Sequence, residues 1–404
     1  MIGFDGNILF KQVTMEVYLL IIYFNFKRNK LRTKLFKKST MNTIMKVYSF
    51  KSLCPLLLLF FLMLTSCSKD EDPIPAVDVP LPTKTLKESS NGFFVGMAMN
   101  SNRLDMNSYT AIIEREFESM TSEWEMKMNI ILPSKGNYNW SKADKIVNYC
   151  VSKGINIHGH ALIWHSSTPD WLENYSGTDA QFEQEVKEYI TAVVTRYKDK
   201  VSSWDVVNEG VADQNGELRN TVFRQRMGDD YMAKCFQWAR EADSDCKLFY
   251  NDYNMTSNIS KQNKVFELVA DWKKRNIPID GLGYQMHISY NFPSKEQIKA
   301  ATDRAVDTGL LLHYSELDIR ANPNKDIIQL TAERSTAQQL KYKEVVQIYN
   351  TIPTANKFGI TVWGLKDNDS WLLPHHNNTN EWPLLYDANF KAKKAYTGFL
   401  EGLQ

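Results

Sequence analysis

The feature that most constrains the fold is a regular alternation of short apolar runs with longer amphipathic segments over residues 91–404. Eight of the apolar runs have the length and composition of β-strands. We predict these strands at residues 93–99, 119–123, 155–164, 201–209, 247–253, 281–287, 310–319 and 358–365. Helical patterns between them include residues 140–153, 180–197, 231–242, 260–275 and 336–349. Strands that alternate with helices form parallel βαβ units, and eight such units close into an α/β (β/α)8 TIM barrel.

The main competing architecture is an open, doubly wound sheet. Sheets of that kind that bind dinucleotides carry a glycine-rich phosphate loop after the first strand, and no such loop follows residues 93–99. We therefore favour the barrel. No Pro/Gly/Ser-rich linker and no repeat interrupts the chain after Asn91, so residues 91–404 are predicted to form one domain.

Polar side chains stand where the predicted strands end. Buried parallel strands normally consist almost entirely of Val, Ile and Leu. Here the carboxyl ends carry Glu123, His160, Trp164, His165, Asn208, Glu209, Asn251, Asp252, Gln285, His287, Glu316, Asp318 and Trp363. One polar strand end is readily explained as a satisfied structural group. Because seven such ends would meet at one rim of a barrel, where the active sites of this fold are built, we predict a functional site there.

Glu209 and Glu316 end the fourth and the seventh predicted strand. Strands this far apart in an eight-stranded ring place their rim side chains opposite each other. Two opposed carboxyls suit acetal hydrolysis, because one protonates the leaving oxygen while the other captures or stabilises the positively charged sugar carbon. A mechanism with a covalent intermediate requires the two groups to be about 5–5.5 Å apart.

The neighbouring residues suggest which carboxyl has which role. Residues two apart on a strand share a face, so Glu316 and Asp318 point the same way, as do Gln285 and His287. A histidine between two carboxylates would donate to both and hold Glu316 ionised as the nucleophile. The amide of Asn208 suits a sugar 2-hydroxyl, which leaves Glu209 as the general acid/base. If these residues have only structural roles, Asp318 pairs with Arg320 and His287 is a packed core residue.

Seven motifs follow one another in an order that resembles glycoside hydrolase family ten, the retaining endo-β-1,4-xylanases. The similarity runs from Gly92 to about Tyr396. The motifs are T-S-E-W-E-M-K at 121–127, G-H-A-L-I-W-H at 159–165, W-D-V-V-N-E ending at 209, N-D-Y-N at 251–254, G-Y-Q-M-H ending at 287, S-E-L-D-I at 315–319 and T-V-W-G-L-K-D-N-D-S-W ending at 371.

The resemblance implies retaining, endo-acting hydrolysis of xylan, with Glu209 as acid/base, Glu316 as nucleophile, Asn208 on the 2-hydroxyl, and His287 with Asp318 supporting the nucleophile. It also implies a set of residues that bind the sugars on the non-reducing side: Glu123, Lys127, His160, Trp164 and Gln285, with Trp363 and Trp371 as walls. Indole faces stack on the apolar C–H faces of pyranose rings. No cofactor and no metal is expected.

One residue departs from the family pattern, which has Asn where this chain has Trp124. Indole is larger than an amide and cannot accept a hydrogen bond in its place. We expect Trp124 to add a stacking wall or to narrow the adjacent sugar subsite. The preferred chain would then be shorter or differently decorated.

Several features of the sequence are compatible with functions other than xylan hydrolysis. His158 and His160 form an H-x-H pair of the kind that binds a divalent metal in amidohydrolases, but on the third strand and without a full ligand set. A β-glucan or aryl β-glycoside hydrolase, or a non-catalytic surface glycan-binding lipoprotein, remains an alternative. The formal net charge of +1 gives no reason to expect nucleic acid as a partner. We expect a monomer.

The N-terminal segment has the pattern of an export signal. Lys46 and Lys51 precede an apolar run from Pro55 to Leu64, which is too short to span a bilayer, and the run ends in the lipobox-like sequence L-T-S-C at Cys67. We predict that residues 1–66, an upstream extension plus a signal peptide, are removed, with translation starting at Met41 or Met45. Residues 67–90 would be a lipidated cysteine and a flexible tether. Lys69-Asp70-Glu71, which resembles a short acidic export tag, then favours an outer-membrane lipoprotein at the cell surface. A lipoprotein that faces the periplasm is the alternative, and in either case Cys67 alone holds the protein to the membrane.

Three cysteines remain in the predicted domain: Cys150, Cys235 and Cys246. Their spacing indicates neither a zinc site nor a disulfide framework. Cys235 and Cys246 could pair in an oxidising compartment, but buried free thiols are the favoured interpretation.

Overall fold

The apolar runs pair side by side as parallel strands around a ring. The computed structural model describes residues 84–404. Within these residues there are ten strands: β1 Phe94–Met99, β2 Ser119–Ser122, β3 Asn156–Gly159, β4 Ile163–Trp164, β5 Ser203–Asn208, β6 Lys247–Asp252, β7 Gly281–Tyr284, β8 His287–Ser289, β9 Leu311–Arg320 and β10 Lys357–Val362.

The ring closes through β10, which pairs in parallel with both β1 and β9. Between these two neighbours the order is β1, β2, β3, β5, β6, β7 and β9, and β4 and β8 add short extensions beside β5 and β9. Ile360 of β10, for example, lies opposite Val95 on one side and Tyr314 on the other. Eight positions around the ring are thus occupied, as the alternating pattern predicts for a (β/α)8 barrel.

Two predicted strands are divided in the structure. The run predicted at 155–164 forms β3 and β4, and the run predicted at 281–287, together with two further residues, forms β7 and β8. At the first break the amide of Leu162 donates to the carbonyl of Asp205 on β5, and at the second Met286 adopts a φ of 58°. A residue with positive φ cannot continue a strand, which accounts for the second break. In both runs, hydrophobicity alone overstates the length of the strand.

Thirteen α-helices occur in the same residues. They are α1 Leu86–Ser89, α2 Asn107–Glu116, α3 Met128–Ile131, α4 Ser141–Lys153, α5 Asp170–Glu173, α6 Asp179–Tyr197, α7 Val222–Met227, α8 Tyr231–Ala242, α9 Ile259–Lys274, α10 Lys295–Val306, α11 Ala332–Asn350, α12 Leu372–His375 and α13 Lys394–Leu403. The five helices predicted from periodicity are all present, within a few residues at each end.

Helix α6 illustrates why these segments are helical. Thr178 and Gln181 form a capping box at its start, which satisfies two of the free amides there. Its buried side chains recur at three- and four-residue intervals along one face: Phe182, Val186, Tyr189, Ile190, Val193, Val194 and Tyr197. This face packs into the layer between the helices and the barrel.

The predicted tether ends earlier than expected. Thr85 and Glu88 form a capping box for α1, Leu86 is fully buried, and its amide donates to Glu116 Oε2 at 2.9 Å. The expectation that residues 67–90 form a flexible linker is therefore wrong for residues 85–89, which fold onto the domain. Cys67 and the rest of the export segment lie outside the described residues.

Aromatic and histidine side chains meet within the barrel. The ring centroids of His158 and His313 are 4.8 Å apart, and those of Phe249 and Phe358 are 4.7 Å apart. Cys150, Cys235 and Cys246 are buried free thiols, as favoured from the sequence. None of the helices in the described part of the chain has the length and apolar character needed to cross a membrane.

Candidate active site

The carboxyl ends of the strands surround a cleft with about 450 Å³ of open space. The residues that line it are Glu123, Trp124, Lys127, His160, Trp164, Asn208, Glu209, Gln285, His287, Glu316, Trp363 and Trp371. Every site residue predicted within the domain is on this lining except Asp318, which contacts two of its members from behind. The structure therefore brings together residues that lie almost 250 positions apart in the chain.

Glu316 is buried and firmly held. It points from β9, with Oε1 accepting from Asn251 Nδ2 at 2.7 Å and Oε2 lying 3.2 Å from His287 Nε2. Burial alone would raise the pKa of this carboxyl, but the nearby His160 and His287 outweigh that effect and lower the pKa below its ordinary value. Glu316 is thus kept as a carboxylate, the form that a nucleophile requires.

His287 lies between two carboxylates. Its Nδ1 is 2.9 Å from Asp318 Oδ2, while its Nε2 faces Glu316. Burial would lower the pKa of the imidazole, but the two carboxylates raise it to about 10, so the ring is a cation at neutral pH. Trp371 Nε1 also donates to Asp318 Oδ2, at 3.0 Å, and the Trp371 and His287 rings lie 4.8 Å apart. Asp318 therefore orients both the His287 imidazolium and the Trp371 indole. Arg320, the partner expected if Asp318 had only a structural role, pairs instead with Glu381.

Glu209 follows the last residue of β5 and has a φ of 57°. Its Oε1 accepts from Gln285 Nε2 at 3.2 Å and from Asn208 Nδ2 at 3.3 Å. The Oδ1 atom of Asn208 accepts from Asn251 and Gln285. A flipped Asn208 amide would let its oxygen accept from Trp164 Nε1 at 3.3 Å, but its NH2 would then face two other NH2 groups. The unflipped orientation is therefore favoured.

Asn251, which is not among the predicted site residues, belongs to the hydrogen-bond network of the cleft. Its Nδ2 bonds both to Glu316 Oε1 at 2.7 Å and to Asn208 Oδ1 at 3.0 Å, and Ser315 Oγ donates to its Oδ1 at 2.6 Å. Two amides, Asn251 and Asn208, thus connect the carboxylates of Glu316 and Glu209. Two sequence signals pointed to Asn251: the polar end of β6 and the N-D-Y-N motif at 251–254.

Asp205 is a second residue that sequence reasoning missed. It is fully buried on β5, with Oδ2 2.8 Å from His160 Nδ1 and Oδ1 3.1 Å from His158 Nε2. Burial would raise the pKa of this carboxyl, but the two histidines lower it well below its usual range. His160 also lies 4.0 Å from Glu316 Oε1. Within residues 84–404 no group of three or more His, Cys, Asp or Glu is arranged to hold a metal ion.

A lysine between two indoles forms another part of the cleft. Lys127 Nζ lies 4.2 Å from the centroid of the Trp124 ring and 4.5 Å from that of Trp164. Burial lowers the pKa of this ammonium, partly offset by Glu316, Glu123 and Glu209. Glu123, whose pKa is raised by burial, accepts from Asn100 Nδ2 at 2.5 Å. Trp124 exposes 48% of its surface at the mouth of the cleft, so much of this side chain is open to solvent.

The sequence of residues 84–402 matches the family described as glycosyl hydrolase family 10. The chain belongs to this family. The resemblance inferred from the seven motifs and the barrel architecture are thereby confirmed. The individual catalytic and binding roles remain predictions.

Curated relatives of this family-10 chain include endo-beta-1,4-xylanase Xyn10C of Cellvibrio japonicus, 36% identical over 339 residues, and endo-1,4-beta-xylanase B of Paenibacillus barcinonensis, 33% identical over 318 residues. The matches cover 77% and 76% of this chain. The matched region is only 56% of the Cellvibrio enzyme but 94% of the Paenibacillus enzyme.

Solved structures of family-10 enzymes resemble this one closely. A variant of xylanase 10C from Cellvibrio japonicus in complex with xylopentaose has a TM-score of 0.76 and 34% sequence identity, over 79% of this chain and 69% of that one. A family-10 structure from Paenibacillus barcinonensis has a TM-score of 0.75 and 32% identity, over 79% and 97% of the two chains.

Proposed function

We propose that the domain hydrolyses internal β-1,4-xylosidic bonds of xylan with retention of configuration. The observation that supports this most directly is the pair of glutamates in one cleft, joined through Asn208 and Asn251 but held in different surroundings. Family membership and the xylanase activities named for the relatives point to the same substrate.

In the first step Glu316 attacks the anomeric carbon of the bound sugar. A bond forms between a Glu316 carboxylate oxygen and that carbon while the bond to the leaving oxygen breaks. Glu209 gives its proton to the leaving oxygen, so the departing sugar chain has a free hydroxyl. The lowered pKa of Glu316 suits the first role, since the attacking group must be ionised.

In the second step water resolves the glycosyl ester. Glu209, now ionised, takes a proton from the water while the water oxygen bonds to the anomeric carbon. The bond between that carbon and Glu316 breaks, which releases the Glu316 carboxylate. Two inversions give net retention. Asn208, which reaches the cleft between the two carboxyls, is placed to bind the 2-hydroxyl of the reacting sugar, a contact that strengthens in the transition state.

Three indoles give the cleft its affinity for flat pyranose rings. Trp164, Trp363 and Trp371 line the cleft beside the carboxylates and offer apolar faces to the C–H faces of the sugars. Glu123 and Lys127 supply edge-on hydrogen bonds. Trp124 adds a further aromatic surface, which we infer shifts preference towards shorter or differently decorated chains. A β-glucan or aryl β-glycoside substrate is the alternative.

Removal of either carboxyl tests the proposal. Glu209→Ala and Glu316→Ala should each lose several orders of magnitude in the rate of xylan hydrolysis, with the fold unchanged by circular dichroism. Added azide should restore activity to both variants. The product should be a glycosyl azide of retained configuration for Glu209→Ala and one of inverted configuration for Glu316→Ala. Full activity in either variant, or exchanged azide products, would refute the role assignment. A panel of xylan, cellulose and mixed-linkage glucan separates the substrate classes.

We also infer that the mature protein is an outer-membrane lipoprotein, anchored by a lipid on Cys67 and displayed at the cell surface. The support is the lipobox-like sequence L-T-S-C after a short apolar run, followed by Lys69-Asp70-Glu71. Cys67→Ser should release the enzyme from the membrane fraction with its specific activity unchanged. Continued membrane association of that variant would exclude a lipid anchor at this residue.

A further inference from the structure

The chain that leaves β5 folds back on itself at once. Val211 and Leu218 form an antiparallel bridge, and the amide of Arg219 donates to the carbonyl of Gly210 at 2.8 Å. Gly216 has a φ of 65° at the tip, where a glycine permits the tight return. The segment from Glu209 to Arg219, here called the acid/base hairpin, therefore begins with the proposed acid/base and ends on an arginine beside it.

The guanidinium of Arg219 binds the backbone of this hairpin. Its Nε donates to the carbonyl of Glu209 at 2.9 Å, and its Nη2 lies 3.3 Å from the carbonyl of Val211 and 3.1 Å from Tyr253 Oη. Hydrogen bonds from a charged donor are stronger than neutral ones. One side chain thus fixes two carbonyls of the hairpin and links them to the loop after β6.

Glu209 needs such support because of its backbone conformation. A φ of 57° is unfavourable for a residue with a Cβ and persists only where the surroundings impose it. The Glu209 amide donates to the carbonyl of Asn251 on β6 at 2.8 Å, and its carbonyl is held by Arg219. Both polar groups of this residue's backbone are therefore fixed, and they set the direction of its side chain.

The hairpin is also anchored at its tip. Asp213 accepts from Tyr253 Oη at 2.5 Å and pairs with Lys261 Nζ at 2.8 Å. Lys261 is fully buried and pairs at 2.7 Å with Asp252, the last residue of β6. Arg219, Tyr253 and Asp213 thus tie the hairpin to the barrel rim at both ends.

We propose that Arg219 is a positioning residue for Glu209, the group that gives and takes the proton during glycoside cleavage. It bonds to the backbone of Glu209 and not to its carboxyl group, so it acts by orienting that carboxyl in the cleft. This inference rests on the proposed function. Loss of Arg219 should therefore slow only those steps in which Glu209 transfers a proton.

Two aryl glycosides with different leaving groups separate this role from a general effect on the fold. For phenyl β-xylobioside the leaving oxygen must be protonated, whereas 2,4-dinitrophenolate leaves without help from an acid. The value of kcat/KM reports the steps through the first bond cleavage. Arg219→Ala should therefore lose about 10–100-fold in kcat/KM on the phenyl glycoside. On the dinitrophenyl glycoside it should keep kcat/KM within about twofold of the wild type.

Arg224 provides a matched control. It too donates to a backbone carbonyl of the hairpin, that of Leu218 at 2.6 Å, and it pairs with Asp229, but it has no contact with Glu209. Arg224→Ala should leave the ratio of kcat/KM on the two glycosides unchanged. Melting temperatures of both variants monitor the fold.

The ratio of kcat/KM on the phenyl glycoside to that on the dinitrophenyl glycoside decides the outcome. If Arg219→Ala loses kcat/KM equally on both glycosides, or on neither, Arg219 does not act through Glu209 and the inference is overturned. If Arg219→Ala does not fold, Arg219→Lys replaces it. A single ammonium lacks the planar fork by which Nε and Nη2 of Arg219 reach their separate partners, so the same ratio of kcat/KM applies. A wild-type enzyme inactive on both glycosides would refute the proposed function, and this inference with it.

Discussion

Replacing His287 with Asn is expected to raise the pKa of the Glu316 carboxyl and to move the acid limb of activity to higher pH. In the wild type the imidazole faces Glu316 Oε2 at 3.2 Å and Asp318 Oδ2 at 2.9 Å. Burial opposes its positive charge, yet the two carboxylates raise its pKa to about 10. An Asn side chain keeps an amide donor but carries no charge.

The size of the effect follows from that pKa. A rise from 6.5 to about 10 corresponds to about 5 kcal/mol in favour of the protonated imidazole, at about 1.4 kcal/mol for each pKa unit. This figure is net of the burial that opposes the charge, so the attraction of the carboxylates for the imidazolium is at least as large. Because the coupling is reciprocal, part of it favours the ionised form of Glu316. Water replaces only part of this attraction in the variant, so the pKa of Glu316 should rise and the acid limb of activity should move with it.

The assay is kcat/KM on phenyl β-xylobioside as a function of pH, since this profile reports the ionisation of the free enzyme. The midpoint of the acid limb should move up by about 1–2 pH units in His287→Asn. A midpoint within about 0.3 unit of the wild type would refute the reasoning, because Glu316 would then not depend on the His287 charge.

Stability gives a second measurement of the same coupling. The raised pKa of His287 stabilises the folded state fully below pH 6.5, and this contribution is lost as the pH rises towards about 10. The difference in unfolding free energy between wild type and His287→Asn should therefore shrink over that interval. A difference that is constant with pH would show that the charge of His287 contributes nothing.

Two further predictions concern the cleft mouth and a buried ion pair. Trp124→Asn should shift cleavage towards longer xylo-oligosaccharides, as measured by product profiles on xylotriose and xylohexaose; indistinguishable profiles would show that Trp124 does not shape the subsite. Lys393 Nζ lies 2.9 Å from Asp367, both are buried, and burial raises the pKa of Asp367 to about 6 despite the lysine. Lys393→Met should lower the unfolding free energy by about 3–5 kcal/mol in urea titrations, whereas Lys299→Met, which removes an exposed pair with Asp303, should cost under about 0.5 kcal/mol. Equal losses would contradict the role of burial.

The barrel was predictable because its signal is local. Each strand is a short apolar run, each long helix has a buried face at three- and four-residue spacing, and the polar strand ends mark the rim. The breaks after Gly159 and after Tyr284 were not predictable, because they depend on backbone turns that leave apolar character unchanged. Helix α1 was missed because a contact that ties it to the domain, the bond from the Leu86 amide to Glu116, joins residues thirty positions apart.

The same distinction applies to the site. Glu209, Glu316 and His287 were found from their positions at strand ends and from the motifs around them. Asn251 and Asp205 escaped because their importance lies in their partners on other strands, which no spacing along the chain reveals. Arg219 was missed for a related reason, since it acts on the Glu209 backbone through a hairpin that the sequence shows only as a polar stretch.

Strand β10 pairs with both the first and the ninth strand. It is followed directly by Trp363 and, further along the chain, by Trp371, and both tryptophans line the cleft. Catalysis by this chain therefore requires the segment from Lys357 onward. A nascent or truncated polypeptide that ends before Lys357 would carry both glutamates and still lack the closed ring that places them opposite each other. Substrate turnover therefore reports whether β10 has paired with β1 and β9. Release of sugar during refolding should appear together with closure of the barrel.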